Sequence, residues 1–149
     1  MMTQSFKPKG LPSLLPHLTV KNADQSLAFY RDVCQFSLKN QPEKQNNEIV
    51  HAEMMLGDAT IMMAPEGAWG SDKKSPKTTG VPSNISLYIY VEDVDAHYEH
   101  AKQKGAEILS APENMFWGDR FYTLRDLDGY EWSFATNVGT HDLSYITHA

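Results

Sequence analysis

The sequence predicts an α+β fold of two tandem β-α-β-β-β modules, forming a curved mixed sheet around a cleft, and three observations predict it. Leu18, Val20, Asn22 and Asp24 align with Ile89, Val91, Asp93 and Asp95 at an offset of 71 residues, and the offset holds through Leu38 and Leu109 to the turns at Gly57 and Asp128. Within each half the apolar period changes in the same order, from two to a helical spacing and back to two. Between the halves lies a stretch rich in Gly, Pro, Ser and Lys with no period at all.

The first module is read at 14–65. A strand over 14–20 leads to a helix with Asn22 as its N-cap and Gln25 at the capping-box position, carrying Leu27, Tyr30 and Cys34 along one face. Strands follow over 37–42, 48–56 and 59–64. The second module, 84–138, opens on a strand over 84–91, where Ile85, Leu87, Ile89 and Val91 alternate with Asn84, Ser86, Tyr88 and Tyr90. Its helix runs from Val94 between Asp93 and Gly105 as caps, with Val94, Tyr98 and Ala101 on one stripe. Strands over 107–111, 118–125 and 130–136 complete it. Residues 1–13 form an N-terminal arm, 66–83 a linker long enough to serve as a lid, and 139–149 a tail.

With 149 residues the chain supports one well-buried unit. Its formal charge of −6 opposes nucleic-acid binding, which depends on clustered Lys and Arg. No apolar run approaches the ~20 residues of a membrane span, so neither nucleic acid nor membrane is an expected partner. A single cysteine, Cys34, excludes an internal disulfide and suits a cytoplasmic setting.

If the aliphatic strand faces cover the helices, parity turns the other residues toward the cleft. These are Leu15, His17, Ile49, His51, Glu53, Met55, Thr60 and Met62 from the first module. The second gives Ser86, Tyr88, Tyr90, Arg120, Tyr122, Leu124, Glu131 and Ser133, with Trp117 beside them. Trp132, Tyr130, Phe134, Met54 and Met63 fall on the helix side, and His97, His100, His141 and His148 read as solvated surface. Such a lining suits a small organic molecule that is aromatic or cationic, although each aromatic equally reads as filler of the sheet's concavity. Arg120 either pairs with Asp119 to hold the Trp117 turn or grips a ligand carboxylate or phosphate. His17 either packs and hydrogen-bonds, or acts as a base with Glu53 or Glu131 as partner. No nucleophile elbow, phosphate-binding glycine loop or Cys–His pair is present.

The tandem repeat, with the stretch from His51 to Asp58, the stretch from Tyr90 to Asp95, Gly105 and Ala106, the block Phe116, Trp117, Gly118, Asp119, Arg120 and the turn from Asp126 to Trp132, resembles the glyoxalase, bleomycin-resistance and extradiol dioxygenase superfamily. This superfamily is also called vicinal oxygen chelate, and the block at Phe116 resembles its PhnB-like branch. The resemblance covers 14–138. It implies a divalent ion held by one His or Glu from the first and last strand of each module. Those positions map onto Leu15, Met62, Ser86 and Ser133, none a usual ligand. No cofactor is therefore expected; a divalent ion would need a rearranged site using His17, His51 and Glu53. The expected protein is a homodimer or compact monomer that binds a small molecule without metal. The alternative is a lyase- or isomerase-type enzyme, either metal-free with His17 as base or with a divergent metal site using His17 and Glu53, the candidate catalytic residues.

Overall fold

Strands pair within each half of the chain to give two mixed sheets, in a computed structural model that describes residues 4–139. The first module contains β1 (His17–Val20), α1 (Ala23–Asp32), β2 (Ser37–Leu38), β3 (Glu43–Gln45), β4 (Glu48–Leu56) and β5 (Ala59–Pro65). Its sheet runs β1-β5-β4-β2, with β1 parallel to β5 and β3 paired to the other half of β4. After the linker, which holds a short 3-10 turn at Ala68–Gly70 and α2 (Pro76–Thr79), come β6 (Leu87–Tyr90), α3 (Val94–Gln103), β7 (Glu107–Asn114), β8 (Asp119–Arg125) and β9 (Glu131–Asn137). The second sheet runs β6-β9-β8-β7 and repeats the plan, with β6 parallel to β9.

The helix starts follow from their caps. The side chains of Asn22 and Asp93 each accept from the backbone N–H three residues on, at Gln25 and Ala96. The strand expected over 37–42 is broken into β2 and β3. Asn46 and Asn47, both at positive φ, then turn the chain tightly into β4. The first strands of both modules are shorter than expected. Ile85 is 74% exposed outside β6, and the alternation that includes it continues beyond the hydrogen-bonded ladder.

One apolar core serves both modules. It joins Leu18, Val20, Leu27, Tyr30, Phe36, Met54, Ile61 and Met63 to Ile89, Val94, Tyr122, Leu124, Trp132 and Phe134. Polar contacts cross the same joint. Tyr30 donates to Asp126, Ser26 Oγ donates to Asp128 at 2.8 Å, and Tyr130 donates to the Thr19 carbonyl at 2.9 Å. The linker is tied down at both ends. Glu66 accepts from the Ser75 N–H and hydroxyl and from the Thr78 hydroxyl, and the Lys77 N–H reaches the Asp128 carbonyl at 2.9 Å. Gly129 turns at φ +93°, and a Cβ there would lie 3.1 Å from Pro76 Cβ and 3.2 Å from Lys77 N, so glycine favours both the turn after β8 and the close lie of the linker against it.

His97 corrects the surface reading. It is 4% exposed, with Nδ1 2.6 Å from the Tyr122 hydroxyl and Nε2 2.9 Å from the Cys34 carbonyl. A carbonyl only accepts, so Nε2 carries the proton and Nδ1 accepts from Tyr122. His100 likewise reaches the Asp32 carbonyl at 2.7 Å. Burial, with His100 nearby, lowers the His97 pKa below its ordinary 6.5 despite the Cys34 bond. Its share of stability is thus complete above 6.5 and lost as pH falls below that value, because the unfolded chain takes up the proton first. The urea midpoint is expected to be lower at about pH 5.5 than at about pH 7.5, with His97→Gln narrowing the gap. His141 and His148, and the tail beyond Gly139, lie outside the described residues. Among the described residues no helix is long and apolar enough to cross a membrane.

Candidate functional site

Each sheet has one face against the shared core and one face turned away from it. In the first module the outer face carries His17, His51, Glu53, Met55, Thr60 and Met62, as parity predicts. Met62 lies opposite His17 on β1 and opposite Glu53 on β4, so the three form one row across the sheet. The His17 and His51 rings stack at 5.7 Å, and Trp69 of the linker lies 6.2 Å from His51. Glu53 sits 3.7 Å from His51 Nε2 and accepts from Asn40 at 3.3 Å. Burial, then the neighbouring His51 and Lys73, lowers the His17 pKa and favours its neutral form. Ile49 departs from the expected face. The register steps from Glu43 opposite His51 to Lys44 opposite Ile49, a bulge that lets Ile49 join the core.

The outer face of the second module centres on a residue that parity did not place there. Asp119 is 1% exposed, and its Oδ2 accepts from the Tyr88 hydroxyl at 2.7 Å, the Tyr90 hydroxyl at 2.8 Å and Trp117 Nε1 at 3.2 Å. Oδ1 accepts from Asn137 at 3.1 Å. Burial alone would raise this carboxyl, but the four hydrogen bonds together outweigh it and hold it below the usual carboxylate range. Burial and the adjacent carboxylate push the Tyr88 phenol up to about 12. Around this anchor, Tyr88 meets Tyr90 at 5.7 Å and 72°, and Phe121 bridges Tyr88 at 5.9 Å to Trp117 at 5.8 Å. Phe116 sets its ring edge-on to Trp117 at 4.8 Å.

Arg120, Tyr122 and Leu124 are corrected: they face the core side. Tyr122 pairs with Phe134 and Leu124 with Trp132, while Phe121, Thr123 and Arg125 share the outer face with Ala135, Ser133 and Glu131. Phe121, Tyr122, Thr123 and Leu124 give no polar–apolar alternation, so hydrophobicity could not choose the face. The tight Asp126–Gly129 turn could have done so, since it pairs Arg125 with Glu131 and thereby fixes every later pair. Asp119 and Arg120 do not pair with each other. Arg120 turns to Asp95 of α3 at 3.1 Å and to Asn114 at 3.2 Å. Among the described residues Glu131 pairs with Arg125 at 3.3 Å rather than with His17.

The four positions mapped for a divalent ion do not fit one. Leu15 is half-buried ahead of β1, Met62 offers a thioether, Ser86 is exposed ahead of β6, and Ser133 bonds the Thr123 hydroxyl at 3.1 Å. Among the described residues, no three His, Cys, Asp or Glu side chains come together in an arrangement that would hold a metal ion.

Among the described residues, no hydrogen bond or ring contact joins His17, His51, Glu53 or Trp69 to Tyr88, Tyr90, Trp117 or Phe121. Among the described residues the two outer faces thus share no such contact within one chain. A concavity of about 410 Å³ lies at the junction between the modules, lined by Gln35, Leu56, Gly57, Tyr90, Asp93 and His97, and Tyr90 belongs to both it and the aromatic face.

Comparison with known proteins agrees with this architecture. An uncharacterized protein of Mycobacterium bovis is 28% identical over 141 residues, spanning 93% of this chain and 91% of its own. A protein of Mycobacterium tuberculosis shows the same identity over 93% of this chain and 82% of its own. Among solved structures, TioX from Micromonospora sp. ML1 superposes with a TM-score of 0.66 at 24% identity, covering 84% of this chain and 98% of TioX. A superfamily member from Sphaerobacter thermophilus gives 0.64 at 18% identity over 84% and 98%. The profile of the Glyoxalase/Bleomycin resistance protein/Dioxygenase superfamily matches residues 11–134, and with both modules in place the chain belongs to that superfamily.

Proposed function

We propose that this protein binds a small aromatic or cationic organic molecule on its open sheet faces, without the superfamily's metal centre. The observation that carries the reading is the Tyr88, Tyr90, Trp117 and Phe121 cluster, whose hydroxyls and indole are fixed by a buried carboxylate while ring surface is left to solvent; Tyr88 is 45% and Tyr90 56% exposed. Rings locked in this way lose little freedom on binding, and ordering side chains is a principal cost of association. A closed cleft needs two faces, and in one chain the contacts between modules run through the core side. A second copy is the occupant that would set a first-module face over a second-module face, so the working form is a homodimer. Cytoplasmic residence belongs to the same reading, resting on the single, buried cysteine, and the Phe116–Arg120 block supports a PhnB-like placement.

The lyase or isomerase reading draws on one observation, the His17 ring stacked on His51 at 5.7 Å, where burial lowers the His17 pKa, and uses His17 as a base with no ion. Screening planar aromatic compounds by thermal shift, with mass determined by light scattering, tests the binding reading. It predicts ligands that raise the melting temperature of a dimer. Tyr90→Leu or Trp117→Ala should abolish the shift, and Arg120→Ala should keep it, since Arg120 faces α3 and its exposed pair is worth about 0–1 kcal/mol. Turnover that is lost in His17→Ala while binding persists would instead favour the enzyme.

A further inference from the structure

The aromatic face of the second module has a charge behind it that its apolar surface conceals. Asp119 is 1% exposed and, among the described residues, forms no ion pair; its side-chain partners are four neutral donors, from Tyr88, Tyr90, Trp117 and Asn137. Neutral donors solvate a carboxylate but do not cancel its charge, so the negative potential extends outward through the tyrosines and the indole. Both phenols point their protons inward at Oδ2, which increases electron density on the rings they leave exposed. Tyr88 and Tyr90 meet at 72°, and Trp117 and Phe121 continue the surface at 5.8 Å, so rings at different inclinations surround one patch.

We infer that this patch is a recognition site for a methylated ammonium group, tertiary or quaternary, held by ring faces in the field of Asp119. The choice among cations follows from hydrogen bonding. A primary ammonium or a guanidinium brings several N–H donors that must be satisfied once water is excluded. Here the carboxylate is sealed and already accepts four bonds, so it is out of reach of a direct salt bridge. A methylated ammonium has few or no N–H groups to satisfy and takes its stabilisation from ring quadrupoles and the long-range field. The inference rests on the binding reading above and narrows it to one chemical class.

Full-length protein titrated with phenyltrimethylammonium, with tert-butylbenzene of the same shape and no charge, and with benzylammonium tests it, using NMR shifts of the Tyr88, Tyr90 and Trp117 signals. Phenyltrimethylammonium is expected to bind about tenfold or more tightly than tert-butylbenzene and more tightly than benzylammonium. Asp119→Asn should remove most of that preference. Should Asp119→Asn fail to fold, Tyr90→Leu, at a position more than half exposed, should lose the preference in a folded protein. Equal or tighter binding of tert-butylbenzene or of benzylammonium overturns the inference while leaving a binding protein in place. Absence of saturable shifts with all three, together with planar neutral aromatics, overturns both.

Discussion

Replacing Trp132 by alanine is expected to lower the unfolding free energy by about 3–5 kcal/mol, which for a chain of this size moves the melting temperature down by roughly 6–20 °C. The indole is 2% exposed and packs on Tyr30 at 5.5 Å, Phe36 at 5.6 Å and Phe134 at 5.9 Å, while Nε1 donates to Tyr30 and to Asp126, each at 3.2 Å. Tyr30 and Phe36 come from the first module and Phe134 from the second. The cavity would therefore open at the joint, where neither module alone can close it. Urea denaturation measures the loss, and a change below about 1 kcal/mol would contradict the account of one shared core.

Asp126→Leu is expected to cost roughly 2–5 kcal/mol, because it strands buried donors that now converge on one carboxylate. Those donors are the Tyr30 hydroxyl, Trp132 Nε1 at 3.2 Å, and the backbone N–H groups of Asp128 at 3.0 Å and Tyr130 at 2.9 Å. Asp126→Asn, which keeps an acceptor, should cost less. Burial raises the Asp126 pKa above 3.8, and the hydrogen bonds from Tyr30, Tyr130 and Trp132 only partly offset it. A raised folded pKa gives stability that is complete below 3.8 and lost as pH rises through the folded value, opposite in sign to His97. Because that contribution is already lost at neutral pH, the gap between the native chain and Asp126→Leu should widen on acidification, with Asp126→Leu losing more than Asp126→Asn in urea denaturation; a midpoint equal to that of the native chain would contradict the interlock.

The order of elements was legible because caps and periods are local. Asn22 and Asp93 cap helices where their spacing places them, and β4 occupies the whole predicted span of 48–56. The outer face of the first module was legible for the same reason, since His51, Glu53 and Met55 alternate with Ala52 and Met54. Legibility failed where the deciding contact is distant. His97 looks solvated in sequence because its partners, the Tyr122 hydroxyl and the Cys34 carbonyl, lie on other elements. Asp119 was read beside Arg120, its neighbour in sequence, although adjacent strand residues point to opposite faces. Its true partners, Tyr88 and Tyr90, are 31 and 29 residues away.

On the proposed reading, a small organic ligand occupies the face formed by Tyr88, Tyr90, Trp117 and Phe121. Two-dimensional NMR of the full chain, titrated with ligands found by thermal shift, tests it most directly. Saturable shifts concentrated on those four residues and Asp119, absent in Tyr90→Leu, are the expected result. Saturable shifts confined to the inter-module concavity at Gln35, Gly57 and Asp93, or no saturable shift at all, would contradict it.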